Sequence, residues 1–479
     1  MSVEGGGLIW SLVHGFNFVV LVYFLSLNGV YLVTSLYAFG ALRRYARRLK
    51  TIDVEDLLKT AGAVPVTLVA PAFNESATCV DATRALLTLR YPEYEIFFVN
   101  DGSTDDTLAL MVEAFEMAPA ALAPTAHIAT APVRQVWRSR VHPDLWLVDK
   151  ENGGKADAQN AGLNYCRTPL FGALDADSLL EPEALTRVVR AFLEDSRTVA
   201  AGGIIRVVNG CTVRAGRVTD VRLPRSLLAR FQVLEYLRAF LSGRMGWDAL
   251  DAPLIISGAF GVFRRSVAVD AGGYDPTTVG EDMEFTMRLH KHCRRVGLPY
   301  GVRFVPDPVS WTEVPEDLGS LGRQRDRWQR GLIESLWRHR EMLLNPRYGR
   351  VGLVAFPYFF FLEMLGPIIE GLGYLAFGAT ILAGRASFAY VAAFLAVAVV
   401  LGVALSIASV VLEESSFRRY ARRRDLLHLF WLALIENVGY RQLNAWWRIR
   451  GFISKIRGVS SWGTMERKGF AGEEPDAAG

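Results

Sequence analysis

The chain has 479 residues, of which 51% are hydrophobic and 21% charged, with a mean hydropathy of +0.20. A soluble domain carries about a quarter charged residues, so this balance excludes a disordered or collagen-like chain and argues against a wholly soluble enzyme. The net charge of +4 is too small an excess to argue for nucleic acid, and Cys79, Cys166, Cys211 and Cys293 share no metal-ligand spacing and are too sparse for a disulfide scaffold.

In chain order, the first feature is an apolar stretch. From Gly5 to Leu42 there is no acidic or basic side chain, and His14 is the only other titratable group of note. About 20 apolar residues span a bilayer, so this stretch can cross once. A secretory signal would need a basic start and a shorter run. Arg43, Arg44, Arg47, Arg48 and Lys50 follow, which by the positive-inside rule places the N-terminus outside and residue 50 in the cytoplasm.

Residues from about Ala61 to Asn345 have globular composition. Thr67–Pro71 is a short apolar run ended by proline and predicts a buried strand. Ser76–Leu89 has helical spacing, with Ser76 or Thr78 as a cap. Glu95–Asn100, Leu145–Val148 and Leu170–Leu174 predict further strands, and the turn Asp101–Asp105 opens another helix. Strand alternating with helix means an α/β domain with a mostly parallel sheet. Ligands of such sheets bind at the carboxyl ends of the strands, where Asp101, Asp175 and Asp177 fall.

Asp175-Ala176-Asp177 sets two carboxylates around a small residue after an apolar run, a spacing that suits a hard divalent cation sharing a diphosphate. A plain turn also accounts for it. In Glu151-Asn-Gly-Gly-Lys155, paired glycines let backbone N–H groups approach phosphate and the lysine supplies a point charge; a solvated loop is the alternative. Gly280-Glu281-Asp282 precedes a helical pattern, so its carboxylates serve either a helix first turn or catalysis. In Gln324-Arg-Asp-Arg-Trp328, Arg327 can bind phosphate and Trp328 can stack on a sugar face, or the segment is a basic juxtamembrane helix with a Trp anchor.

Beyond residue 350, Val351–Gly384 is apolar apart from Glu363 and Glu370, and Ala386–Leu412 carries no charge. Each is long enough to span. Arg418, Arg419, Arg422, Arg423 and Arg424 mark the cytoplasmic side again. Leu426–Ile435 is apolar but too short to cross, and Arg441, Arg448, Arg450, Lys455 and Arg457 follow it, which favours a re-entrant or interfacial helix over the alternative, a fourth span. Trp446, Trp447 and Trp462 suit headgroup depth.

The order of these motifs carries more than any one of them. Val69-Ala-Pro-Ala-Phe-Asn-Glu75, Val99-Asn-Asp-Gly-Ser103, the Gly-Gly-Lys loop, Asp-x-Asp, Ser257-Gly-Ala-Phe-Gly-Val-Phe-Arg-Arg265, Gly-Glu-Asp and Gln-x-x-Arg-Trp stand in sequence. The chain resembles the membrane-embedded processive glycosyltransferases of family 2, a group that includes cellulose, chitin, hyaluronan and poly-N-acetylglucosamine synthases. Ser257–Arg265 and Trp462–Arg467 look closest to the bacterial poly-N-acetylglucosamine synthases.

The resemblance implies an α/β, GT-A-type (Rossmann-like) catalytic domain inserted between transmembrane helices. Residues 1–50 would be an anchor, 51–330 the cytoplasmic domain, 331–350 an interfacial helix, 351–412 two transmembrane helices and 413–479 an interfacial or re-entrant helix and tail. It implies an inverting transferase that moves sugar from a UDP-sugar to a growing polysaccharide at the inner membrane, coupled to export. Pro71, Glu75 and Asp101 would contact the nucleoside, Lys155 the diphosphate, and Asp175 with Asp177 a Mg²⁺ or Mn²⁺ ion on the donor. Asp282 would be the general base, and Gln324, Arg327 and Trp328 would hold the leaving diphosphate and the acceptor. The expected partners are the UDP-sugar, a polysaccharide or glycolipid acceptor, the lipid bilayer and accessory membrane or export subunits, with no nucleic acid. Gly280 departs from the threonine that many relatives carry there. Two other readings stand beside this one: a non-processive transferase loading one sugar onto a lipid carrier, and a non-enzymatic transporter or scaffold, which has no need of Asp175, Asp177, Asp282 and Lys155.

Overall fold

The computed structural model describes residues 3–49, 62–176, 178–214, 216–416 and 422–459. Asp177, Arg418, Arg419 and the segment from Trp462 to Arg467 lie outside the described residues.

Helix α1 spans Val3–Leu49. The sheet that follows is built from β1 (Val66–Ala72), β2 (Tyr94–Asp101), β3 (Met117–Pro119), β4 (Val133–Ser139), β5 (Leu145–Lys150), β6 (Leu170–Leu174), β7 (Leu179–Leu180) and β8 (Thr198–Val207). After a small hairpin of β9 (Thr212–Arg214) and β10 (Arg217–Asp220), β11 (Phe260–Arg264) and β12 (Gly301–Thr312) complete it. The order across the ten-stranded sheet is β3-β4-β5-β2-β1-β6-β11-β8-β12-β7. Its centre, β5-β2-β1-β6, is parallel, and β11 runs antiparallel between β6 and β8. The sheet is therefore mixed, with antiparallel pairs at both edges as well.

The strands predicted from apolar runs are the central ones, and the reason lies in burial. Alternate residues of β1 and β2 feed two different cores. Leu68, Ile96 and Phe98 join one, while Val69, Phe97 and Val99 join the other. A strand covered on both faces reads as a continuous apolar run. The helix expected over Ser76–Leu89 is shorter, Cys79–Leu86. Thr78 sits at its N-cap position without capping it, because its hydroxyl donates to Glu75 Oε2 instead.

The helices that shape the site are α2 (Lys155–Tyr165), α3 (Leu227–Tyr236), α4 (Glu281–Val296) and α5 (Leu318–Arg338). From α3 the chain continues in wider helical turns through Leu237–Arg244 and a further turn, Met245–Ala249, that packs on α1. Among the described residues, two helices are long and apolar enough to cross a membrane, Trp10–Arg48 and Phe388–Glu414. The apolar stretch after residue 350 is not one straight helix. Val351–Met364 and Gly366–Leu382 (α6) are bent by 43° at their junction. Pro367 there lacks the N–H that would continue the ladder, and a Cβ on Gly366 would lie 2.4 Å from the Tyr23 hydroxyl of α1.

Arg423–Ile435 forms a helix of 13 residues, and α7 (Tyr440–Ile456) follows it. Trp446 is exposed on α7, but Trp447 is buried against Gly322 of α5, so it packs protein rather than facing headgroups.

His290, on α4, is buried between Pro253 O and the Tyr300 hydroxyl, each at 2.8 Å. A carbonyl can only accept, so Nε2 carries the proton and Nδ1 accepts from Tyr300. Burial pushes its pKa down to about 4, below the value of about 6.5 of an unfolded histidine. Between these values the unfolded chain binds the proton and the folded one does not, so stability is lost as pH falls from about 6.5 to about 4. The melting temperature of His290→Gln should fall less steeply over that range than that of the natural protein; equal slopes would contradict the assignment.

Candidate active site

The parallel strands β1, β2, β5 and β6 end on one edge, and the sequence puts polar residues there. Asp101 closes β2 beside Lys150 of β5. The Lys150 side chain is fully buried and lies 2.6 Å from both Asp101 Oδ1 and Asp157 Oδ1. Asp101 also accepts from the N–H groups of Gly153 and Gly154, at 3.0 and 2.8 Å. The paired glycines thus turn their amide groups to Asp101, not to an open phosphate site, because the carboxylate at the end of β2 is within reach of both. The Asp101 carboxylate holds the loop that begins α2. Gly102 adopts φ +69, and a Cβ there would come 2.7 Å from Asn152 N, so this turn requires glycine.

Lys155, the first residue of α2, reaches Asp175 Oδ1 at the end of β6 (2.5 Å) and Glu281 Oε1 at the start of α4 (2.8 Å). Burial opposes its charge, but the two carboxylates outweigh burial and hold its pKa well above the ordinary lysine value. Burial raises that of Glu281; Lys155 pulls it down and Asp282 adds to the rise. The neighbouring Asp282 has a different set of partners. Its Oδ2 accepts from Gly258 N at 3.1 Å and its Oδ1 from Met283 N at 2.7 Å. Glu281 is therefore occupied by a cation, while Asp282 is oriented by one N–H on each oxygen and keeps lone pairs for a proton. Gly258 brings the Ser257–Arg265 segment against both. A Cβ on it would lie 3.0 Å from Lys155 Nζ and 3.7 Å from Asp282 Oδ2.

Helix α5 carries the Gln324–Trp328 segment alongside. A Cβ on Gly280 would meet Gly331 Cα at 2.7 Å, so glycine rather than a larger residue at 280 is what this approach of α5 requires. Arg325 pairs with Glu235 of α3 at 2.6 Å, and its guanidinium lies 4.4 Å from the centroid of the Trp328 ring. Trp328 is 43% exposed. Gln324 Oε1 is buried and has no hydrogen-bond partner among the described residues, an acceptor available to a bound hydroxyl.

Pro71, Glu75, Asp101, Lys155, Asp175, Asp282, Gln324, Arg327 and Trp328 all line one cavity of about 1590 Å³. The same cavity is walled by Tyr23, Asn28 and Tyr31 of α1 and by Pro367 and Glu370 of α6. Reasoning from the sequence missed Lys150, Glu235 and the α1 side chains. Polar residues within an apolar span are a signal for the last of these; nothing local marks the other two. For a divalent cation, Asp175 offers a carboxylate oxygen on the cavity wall, a donor type that suits Mg²⁺ or Mn²⁺. Among the described residues no three acidic, histidine or cysteine side chains gather as a metal site.

The sequence matches the family described as Glycosyl transferase family 2 over residues 67–122 and that described as Glycosyl transferase family group 2 over residues 171–407, together more than half of the chain. Among curated proteins it is similar to the poly-beta-1,6-N-acetyl-D-glucosamine synthase of Staphylococcus epidermidis, with 27% identity over 68% of this chain and 67% of that one. The synthase of the same name from Staphylococcus aureus (strain COL) is 28% identical over 67% and 66%. The chain thus spans about two thirds of the length of the curated relatives it matches. Among solved structures it is similar to the mannosyltransferase PcManGT from Pyrobaculum calidifontis in complex with GDP-Man and Mn²⁺, with 20% identity and a TM-score of 0.49 over 87% of this chain and 99% of that one. A likeness this low says nothing of substrate.

Asp101→Asn should leave Lys150 buried with less charge to balance it. The cost of breaking a buried pair is about 3–5 kcal/mol, here reduced by Asp157, so the melting temperature should fall by several degrees. An unchanged melting temperature would mean that Asp101 does not hold this loop.

Proposed function

Because the chain belongs to the family 2 glycosyltransferases, we propose that it transfers sugar from a UDP-sugar to the end of a growing polysaccharide, with inversion, at the cytoplasmic face of the inner membrane, and that the product leaves between its own helices. The observation that carries this reading is the single cavity that joins Lys155 and Asp282 to Tyr23 and Glu370 between α1 and α6. A transferase adding one sugar to a lipid carrier needs no such continuation. The arginines beside residue 42 and after residue 416 support a cytoplasmic catalytic domain and a multi-pass arrangement.

In this reading the nucleoside lies near Pro71, Glu75 and Asp101. Lys155 moves from its two carboxylates toward the donor diphosphate and, with Arg327, stabilises the charge that builds there. Asp175 and Asp177 would hold a Mg²⁺ or Mn²⁺ ion, which when bound would supply further positive charge near the leaving group. The acceptor hydroxyl, placed by Trp328 and Gln324, attacks the anomeric carbon from the face opposite the diphosphate. The new C–O bond forms as the bond to the diphosphate breaks, UDP departs with that electron pair, and the hydroxyl proton passes to Asp282.

Asp282→Asn should bind UDP-sugar with natural affinity but lose polymer synthesis by about 10²–10⁴-fold. Normal synthesis by the folded variant would remove Asp282 as the base, and lost donor binding would move it into the donor site. Chelation with EDTA should abolish UDP release, and added Mg²⁺ or Mn²⁺ should restore it; full activity in EDTA would contradict the metal assignment.

A further inference from the structure

Helix α4 begins without a cap of its own. Its N-cap residue is Gly280, which has no side chain to offer, yet Glu281 and Asp282 come next. The segment before them is held from outside, by α5. Glu334 Oε2 accepts from the Thr278 hydroxyl at 2.9 Å and from Val279 N at 3.0 Å. The Thr278 oxygen in turn accepts from Gly280 N at 3.2 Å. These bonds lie beside the close approach of Gly280 to Gly331, so the backbone entering α4 is fixed to α5 by both packing and polarity.

The other end of Glu334 faces α7. Its Oε1 pairs with Lys455 Nζ at 2.7 Å, and its side chain is 11% exposed. Helix α7 is close-packed on α5 nearby. A Cβ on Gly451 would come 2.8 Å from Asp326 O, and the Ser454 hydroxyl donates to Asp326 Oδ2 at 2.9 Å. Burial opposes the charge on Glu334, but the bonds from Lys455, the Val279 N–H and Thr278 outweigh it and hold its pKa below the ordinary glutamate value. All three partners donate. An ammonium and a backbone N–H can do nothing else, and the Thr278 oxygen already accepts from Gly280 N. A carboxylate accepts on both oxygens. Glutamine, of the same size, has one accepting end and one donating end, so it serves the loop or Lys455 but not both.

Helix α5 also carries Gln324 and Trp328, which the transferase reading gives to the acceptor. We infer that Glu334 is a positioning residue for the transfer step: through Thr278 and Val279 it sets Asp282, at the start of α4, against the acceptor-holding face of α5, with Lys455 of α7 keeping it in place. It touches no reacting atom. The inference rests on the transferase reading above and deepens it by naming what aligns the base with the acceptor.

The test uses the full chain in lipid nanodiscs with Mg²⁺. The donor is whichever of UDP-N-acetylglucosamine, UDP-glucose and UDP-glucuronic acid the natural protein turns over. Two products are counted, UDP released and sugar incorporated into polymer. Misalignment of a reacting group by about 1 Å costs up to about 10²-fold, so Glu334→Gln should lower the rate of incorporation by about 10–10²-fold with UDP affinity unchanged. Water needs no acceptor platform, so the UDP released per sugar incorporated should rise at least about threefold. A variant that is merely less stable loses both products alike and keeps the natural ratio, which separates positioning from folding. Lys455→Gln, at a partly exposed residue, should shift the ratio the same way by less, and it carries the test if Glu334→Gln does not assemble. A natural ratio in both variants overturns the inference, as does loss of UDP affinity in Glu334→Gln, which would move Glu334 to the donor site. Turnover of none of the three donors by the natural protein would instead overturn the transferase reading, and the inference with it.

Discussion

Lys155 ties three parts of the chain at one point. It begins α2, and its ammonium lies between Asp175, at the end of β6, and Glu281, at the start of α4. Such an arrangement adds little net stability, because desolvating three charges costs about as much as their attraction returns. Its value is positional. The two carboxylates come from elements more than 100 residues apart in sequence, and only the lysine between them keeps them close without repulsion. Asp282, one residue beyond Glu281, inherits its place from that contact. The arrangement also holds Lys155 charged and ready for a more negative ligand, since a diphosphate competes directly with Asp175 and Glu281 for it.

The cavity extends the same logic into the helices. Its deeper wall carries Glu363, which accepts from the hydroxyls of Tyr31 and Tyr358 at 2.7 and 2.6 Å and faces Arg448. Glu370 is held likewise by Tyr23 and Arg441. Polar groups in apolar segments are costly and persist where they line a route or a site. Paired in this way they give a wall of hydroxyls and balanced charges, a surface on which a neutral, hydroxylated chain can exchange one set of hydrogen bonds for another. The catalytic domain is fastened to the helices by contacts of the same kind. Arg206 at the end of β8 and Glu413 of the Phe388–Glu414 helix form a buried pair at 2.6 Å, and Glu235 of α3 gathers Arg325, Tyr440 and Asn444.

What the sequence disclosed follows from which forces are local. The central strands were legible because burial on both faces leaves an unbroken apolar run, and the carboxylates at the ends of β2 and β6 because they follow those runs directly. The first long apolar helix was legible from the length and composition of its segment alone. Features set by distant partners were not. The antiparallel β11 looked like a motif rather than a strand. Lys150 ends an apolar strand and gives no sign that it will be fully buried between Asp101 and Asp157. The Gly153 and Gly154 amides looked free for phosphate until Asp101 was placed beside them. Gly280 looked like a lost threonine, whereas its meaning lies in Gly331, about 50 residues away. Trp447 looked like a headgroup anchor because nothing in its neighbourhood announces the bare Gly322 it covers.

In the proposed reading, one continuous cavity both makes the glycosidic bond and receives the product. The most direct measurement is a structure of the full chain in lipid, determined after turnover with UDP-sugar and trapped with UDP. The expected result is UDP beside Lys155 and Asp175, a saccharide end stacked on Trp328 next to Asp282, and continuous saccharide density reaching Tyr23 and Glu370 between α1 and α6. Saccharide leaving the cavity toward the cytoplasm, with the space between α1 and α6 filled by lipid or closed, would contradict it.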